Sequence, residues 1–211
     1  MKKPLYVGIC GRMGAGKDTV AGLIKSQCEN LGLSVAVARF ADPIKKAASM
    51  WFDISDEILQ DTELKNTTLI PLHTVDTSIS VRELLQGVGS SMRSIHTNFW
   101  VELFHRMYGP DRWGGGDDDD DGSSWVVIVP DLRYTNEEDY LKQQDGMVVK
   151  VLREVYPEMT PGRIHDHASE TSYQDIREDC LIHNNSTIQD LVPQISVLVR
   201  TMKRRLDYVR S

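Results

Sequence analysis

The stretch Gly11-Arg12-Met13-Gly14-Ala15-Gly16-Lys17-Asp18-Thr19 decides how the rest of this chain reads. An apolar run, Leu5-Tyr6-Val7-Gly8-Ile9-Cys10, precedes it and a segment with helical spacing follows, so the order is strand, glycine-rich loop, helix. That is the order a phosphate-binding loop requires. Gly11, Gly14 and Gly16 allow positive φ angles, which turn backbone N–H groups inward; Lys17 adds a mobile cation, and the helix directs its positive end at an anion. Gly11, Met13, Gly14, Ala15, Gly16, Lys17, Asp18 and Thr19 are therefore candidate polyphosphate-binding residues. The usual pattern places Ser or Thr directly after the lysine, whereas here Asp18 intervenes and the hydroxyl arrives at Thr19. The bland alternative is a tight strand-to-helix turn carrying an ordinary lysine.

Working outward, 211 residues with 40% hydrophobic and 26% charged side chains suit one globular domain with a sizeable core. The net charge of −7, with basic residues clustered only at Lys203-Arg204-Arg205, disfavours a surface for polymeric nucleic acid but not a local pocket for a free nucleotide. Three cysteines without metal-type spacing point to a reducing cytoplasm. No apolar run approaches the about 18 residues of a membrane span, and Met1-Lys2-Lys3-Pro4 leads straight into a strand, so no membrane association is expected.

Val20, Leu23, Ile24, Cys28 and Leu31 predict an amphipathic helix over 19–31 that ends at Gly32. Ser34 to Phe40 reads as a parallel strand buried on both faces. Asp42 as N-cap with Pro43 behind it opens a helix that carries Lys45 in its first turn, at the carboxyl end of that strand. Residues 53–78 are polar and weakly periodic and read as an inserted, partly helical flap. Ser80 with Glu83 predicts a capping box, and Arg82 and Gln86 then share one helix face. A further helix is expected over 98–107. The segment 114–124, with Asp117 to Asp121 between glycines and serines, reads as a flexible acidic loop; a cation site is the sharper alternative, disfavoured by the spacing.

Trp125 to Pro130 is the strongest strand signal, and it delivers Asp131 and Arg133 just past its carboxyl end, suited to magnesium-linked and phosphate contacts respectively. The competing reading is a surface ion pair or helix cap. A helix over 135–144, a strand over 147–152, a lid-like irregular stretch over 153–173, a short strand over 180–183 and a helix over 187–210 complete the chain. Alternating strands and helices, with about five strands, predict a three-layer α/β fold with a mainly parallel sheet. His165 and His167 lack metal-type partners, and Trp100 divides evenly between core and base-stacking platform.

These residues resemble the bacteriophage deoxynucleoside monophosphate kinases of the T-even phage type. The resemblance rests on Gly14-Ala15-Gly16-Lys17-Asp18-Thr19, on Ala41-Asp42-Pro43-Ile44-Lys45, and on Val81-Arg82 with Gln86 and Gly89. Trp100-Val101-Glu102-Leu103-Phe104, Ile128-Val129-Pro130-Asp131-Leu132-Arg133 with Glu137, and the turn Asn184-Asn185-Ser186-Thr187 extend it. The segment between Lys45 and Arg82 is much shorter than in the T-even type, and the polyaspartate run has no counterpart there. The resemblance implies a P-loop kinase fold with a five-stranded sheet, a helical monophosphate-binding insertion over 41–110 and a lid. It also implies transfer of the γ-phosphoryl of ATP to a deoxynucleoside monophosphate with Mg2+. Carried over, the loop from Gly11 to Thr19 holds ATP; Lys17, Asp131 and Arg133 are catalytic, with Asp131 contacting Mg2+ through water. Asp42, Lys45, Arg82, Gln86, Gly89, Trp100 and Glu137 hold the acceptor, and Arg153, Arg163, His167 and Glu170 belong to the lid. Localisation is cytoplasmic, in the host if phage-encoded. A homodimer stays open. The rivals are a phosphomevalonate or dephospho-coenzyme A type kinase on the same fold, and a nucleotide-binding interaction module that transfers nothing.

Overall fold

The computed structural model describes residues 3–72, 77–113, 124–154 and 171–208. The chain divides into two compact units, Met1–Arg39 with Met107–Ser211, and Phe40–Arg106.

The first unit is built on strands β1 (Leu5–Cys10), β2 (Ser34–Val37), β5 (Trp125–Val129), β6 (Met147–Leu152) and β7 (Cys180–His183). Their order is β2-β5-β1-β6-β7, and every pairing is parallel. β1 carries no charged side chain, and all six of its residues are buried. Alternation sorts those residues between two faces. Leu5, Val7 and Ile9 join the core made with helix α1 (Lys17–Asn30) and the last helix, α8 (Ile188–Tyr208). On the opposite face lies α7 (Thr135–Gln143): the ring of Tyr6 meets Tyr140 edge-on at 6.3 Å, and Leu141 covers Gly8. The result is the expected three-layer α/β arrangement.

α1 ends where Gly32 adopts φ 74°; its N–H donates to Glu29 O at 2.9 Å and Leu33 N–H returns to Cys28 O at 3.1 Å, a glycine-terminated C-cap. β2 departs from expectation. It stops at Val37 and is only half-buried, because it forms an edge of the sheet rather than its interior. Of the acidic segment, residues 114–123 lie outside the described residues. Ser124 is buried and its carbonyl accepts from Ser34 N–H at 3.0 Å, so that end belongs to the start of the sheet.

The second unit contains α2 (Asp42–Phe52), α3 (Asp56–Gln60), α4 (Thr62–Thr67), an antiparallel pair β3 (Leu69–Leu72) and β4 (Thr77–Ser80), then α5 (Val81–Ile95) and most of α6 (Phe99–Tyr108). The sequence predicts a partly helical flap here but not the hairpin, whose register opposes Leu69 to Ser80 and Ile70 to Ile79. Its strands are short and interrupted by Pro71, which hides the alternation. The start of α2 is also corrected. Ala41 is the N-cap and Asp42 is the first helical residue, whose carboxylate favours the positive helix end. Ala48, Ile54, Leu59, Val81 and Leu84 form this unit's own apolar cluster. The Ser80–Glu83 capping box is present in full: Ser80 Oγ accepts from Glu83 N–H at 3.2 Å, and Glu83 Oε2 accepts from Ser80 N–H at 2.8 Å.

Candidate active site

Parallel strands send all five carboxyl ends of the sheet to one edge. In the first unit that edge collects Arg39 after β2, Asp131 to Arg133 after β5, the loop Gly11 to Gly16 after β1, Arg153 after β6, and Asn184 with Asn185 after β7. Such an edge is where open α/β sheets bind ligands.

Named side-chain donors hold the loop's carbonyls, and Ala15 N–H closes a turn inside the loop on Arg12 O at 3.1 Å. Lys17 Nζ donates to Gly11 O at 2.8 Å and Arg12 O at 3.0 Å. Arg153 Nη1 donates to Gly14 O at 3.3 Å, and Asn184 Nδ2 donates to Ala15 O at 2.8 Å. Two glycines are required by space and by conformation. Gly11 has φ 143° and a Cβ there would lie 2.5 Å from Val151 O on β6; Gly16 has φ 92° and a Cβ there would lie 2.2 Å from Asn184 Nδ2. Met13 is half-buried, Gly14 is exposed, and Ala15 is fully buried. Asp18 stands exposed in the first turn of α1 and pairs with Arg39 Nη2 at 3.1 Å, while Thr19 is exposed on the next position of that turn.

The β5 exit is held from below. Leu132 is buried, Asp131 and Arg133 are half-buried, and the carboxylate of Glu137, itself 1% exposed, accepts from Arg133 N–H at 2.9 Å and Tyr134 N–H at 3.2 Å. Glu137, expected among the acceptor-binding residues, is therefore seen shaping the backbone of the Asp131–Arg133 loop. Glu138 next to it pairs with Lys142 and accepts from Arg177 N–H at 3.3 Å, which ties α7 to the strand-leading segment before β7.

In the second unit, Arg82, Gln86 and Gly89 follow one stripe of α5. Arg82 Nε donates to Asn66 Oδ1, and Lys45 Nζ donates to Gln60 Oε1 at 2.8 Å. An apolar cavity of about 340 Å³, lined by Trp51, Ile79, Leu84, Val88 and Met92, lies on the opposite flank of the same helix. Trp100 is placed in the interior: it is 2% exposed, its indole N–H donates to Gly89 O at 2.9 Å, and Phe99 packs against it edge-on at 5.0 Å. Core packing, not a stacking platform, is the role its surroundings give it. Gly89 enters through its carbonyl, the acceptor of that bond.

Arg163, His167 and Glu170 lie outside the described residues. Among the described residues no group of three or more His, Cys, Asp or Glu could hold a metal ion, and no helix is long and apolar enough to cross a membrane. Burial pushes the Cys10 and Cys28 thiols up to about 11, so both sit protonated in the core at neutral pH. Sequence reasoning missed Arg39 and Asn184 as site residues. Their signal was positional, since each follows the end of a parallel strand.

Residues 55–195 match the deoxynucleotide monophosphate kinase family. The chain belongs to that family. A relative from Acanthamoeba polyphaga mimivirus, named "Putative deoxynucleotide monophosphate kinase", is 28% identical over 203 residues, covering 90% of this chain and 94% of its own. Among solved structures, the Mycobacterium tuberculosis APS kinase in complex with AMPPNP and APS is similar at TM-score 0.47 and 13% identity, covering 96% of this chain and 99% of that one. A gluconokinase from Sinorhizobium meliloti is similar at TM-score 0.45 and 12% identity, covering 100% of this chain and 99% of that one. The family's kinase chemistry fits a sheet edge that presents a phosphate loop.

Proposed function

We propose that this protein transfers the γ-phosphoryl group of ATP to a deoxynucleoside 5′-monophosphate, giving ADP and the deoxynucleoside diphosphate, as a relative of the T-even phage type. The observation that carries this reading is the Gly11 to Lys17 loop, whose carbonyls are tied back by Lys17, Arg153 and Asn184 in a member of this kinase family. Carbonyls held back leave N–H groups to meet phosphate oxygens.

In the proposed reaction an oxygen of the acceptor phosphate attacks the γ-phosphorus in line, and the bond to the β-phosphate bridging oxygen breaks. The reaction needs no covalent help from a side chain; it needs charge placed around the transferred group. Lys17 and Arg133 supply positive charge, and Arg153 braces the loop. Lys45, Arg82 and Gln86 hold the acceptor, with Asp42 at the start of the helix that carries Lys45. Mg2+ would be carried largely by the nucleotide's phosphates, as its preference for few protein ligands and several waters allows. Asp131, half-buried after β5, is the carboxylate suited to holding it through water, and the ion would neutralise charge on the β- and γ-phosphates. A cytoplasmic location, in the host if the protein is phage-encoded, accords with this reading.

The test is incubation with ATP, Mg2+ and each deoxynucleoside monophosphate in turn, followed by product separation. ADP and one or more deoxynucleoside diphosphates should form in equal amounts. Lys17→Ala should lower turnover about a hundredfold or more while the melting temperature holds. If no deoxynucleoside monophosphate is phosphorylated, the assignment is wrong; wild-type turnover in Lys17→Ala would remove the loop from catalysis.

A further inference from the structure

Three pairs of neighbouring residues close a ring of hydrogen bonds at the phosphate loop. Arg153, directly after β6, donates through Nη1 to Gly14 O at 3.3 Å. The next residue, Glu154, donates its backbone N–H to Asn185 Oδ1 at 2.8 Å. Asn184, beside Asn185 in the turn after β7, donates through Nδ2 to Ala15 O at 2.8 Å, and Ala15 follows Gly14. The ring therefore runs from Gly14-Ala15 to Asn184-Asn185 to Glu154-Arg153 and back. Its bonds join residues 139, 31 and 169 apart, so no local motif announces it.

The two asparagines take part in opposite senses. A carbonyl oxygen can only accept, so the Asn184 amide must turn its nitrogen to Ala15 O; a backbone N–H can only donate, so the Asn185 amide must turn its oxygen to Glu154. The surrounding structure fixes the turn that carries them. Asn184 N–H donates to Leu152 O at 2.8 Å, which extends the β6–β7 ladder by one step. Before the turn, Gln194 of α8 holds both backbone groups of His183, accepting from its N–H and donating to its oxygen, each at 3.0 Å. After it, the Asp190 carboxylate accepts from the N–H of Thr187 at 3.1 Å and from its hydroxyl at 2.7 Å. With both ends of the turn pinned, the amides at 184 and 185 reach the loop and the β6 exit from a fixed base.

We propose that Asn184 and Asn185 are positioning residues for the donor nucleotide: Asn184 donates to hold the phosphate loop, and Asn185 accepts to hold the β6 exit from which Arg153 reaches Gly14. The inference rests on the reading of the Gly11 to Lys17 loop as the site of the donor's phosphates made above. It requires a side chain that donates at 184 and one that accepts at 185. Ionised aspartate has the shape of asparagine but only accepts, so it separates the two requirements. It fails at the first position and serves at the second.

The experiment titrates the full-length protein with AMPPNP and Mg2+ by calorimetry and measures the KM for ATP and for the deoxynucleoside monophosphate. It compares Asn184→Ala, Asn184→Asp, Asn185→Ala and Asn185→Asp with the parent. At 184 both variants should weaken AMPPNP binding about fivefold or more, aspartate the worse of the two because it sets a charged acceptor against Ala15 O. At 185 alanine should weaken binding about fivefold, and aspartate should restore it to within about twofold of the parent at raised ionic strength, where its added charge is screened. The acceptor KM should stay within about twofold throughout. A merely structural role would lower the melting temperature and raise both KM values together, with alanine and aspartate equivalent at each position. Equal binding by Asn185→Ala and Asn185→Asp, or tighter binding by Asn184→Asp than by Asn184→Ala, overturns the proposal. If the parent binds AMPPNP but phosphorylates no deoxynucleoside monophosphate, the acceptor assignment falls and the calorimetric order still decides the roles of the two amides. If the parent does not bind AMPPNP, or Lys17→Ala binds it as the parent does, the loop is not the donor site and both fall. Should a variant at 184 fail to fold, the alanine and aspartate pair at 185, an exposed position, decides by the same order.

Discussion

The phosphate loop and the 53–80 segment solve one problem, holding cations and donors in fixed directions, by opposite means. In the loop the backbone is the instrument: glycines at φ 143°, 80° and 92° set the path, and β6 and the β7–α8 turn press against it. In the 53–80 segment direction comes from side chain to side chain, Gln60 to Lys45 and Asn66 to Arg82. Backbone solutions demand particular residues at particular places and so leave a motif. Side-chain solutions can be rebuilt from many sequences and leave almost none.

Alanine at the two tight glycines gives the largest expected effect on this contrast. Gly11→Ala sets a methyl 2.5 Å from a backbone carbonyl of β6, which cannot yield, so it should cost about 3 kcal/mol or more of stability. Gly16→Ala meets only the end of the Asn184 side chain. It should cost less in denaturant unfolding, yet raise the ATP KM more per unit of stability lost, because Asn184 must release Ala15 O to make room. Equal stability losses in the two variants would break the distinction between a loop held by backbone and one trimmed by a side chain.

Acid acts on the two units in the same direction. The hydrogen bond from Lys150 holds Glu178 below the usual carboxylate range in the first unit, and the Ser80 N–H does the same for Glu83 in the second. A carboxylate depressed in the folded state binds its proton at lower pH than in the unfolded chain. Its contribution is therefore present above the ordinary value of 4.5 and is lost as pH falls through the folded value. Melting temperature should decline as pH drops below that ordinary value, and Lys150→Met should flatten the decline; an unchanged slope would remove Glu178 from the account. The smallest effect is expected at the cap of α5. Ser80→Ala should cost about 1 kcal/mol, with the acceptor KM rising only if α5 must be fully formed to hold Arg82.

The same contrast explains what the sequence made legible. The five strands, their parallel pairing and the helices at 17–30, 81–95 and 135–143 followed from apolar runs, glycines and a capping box, each a local signal. Asp131 and Arg133 were found because they follow the most apolar run of the chain. Arg39 escaped because it lies inside a run that reads as buried, and its bond to Asp18 joins residues 21 apart. Asn184 was visible only as part of a turn, since its partner Ala15 lies 169 residues away. Trp100 was balanced between two roles because spacing cannot distinguish an indole N–H bonded to Gly89 O from one left for a ligand. The Ala41 cap was misread since Asp42-Pro43 fits the favoured pattern one residue late. The hairpin was missed because four-residue strands with a proline carry too few alternations.

Phe40 and Phe104, near the two ends of the second unit, stack with ring centroids 4.2 Å apart at 28°. A segment whose ends are clasped in this way is a closed loop to the chain that carries it. The cost of closing such a loop grows only as the logarithm of its length, about 0.6 kcal/mol for each doubling. Residues can therefore be added or lost between the two rings with little effect on the rest of the chain, provided the clasp is kept. If this interval holds the acceptor as proposed, acceptor preference can change by insertion and deletion within it, while the sheet and its phosphate loop continue unaltered.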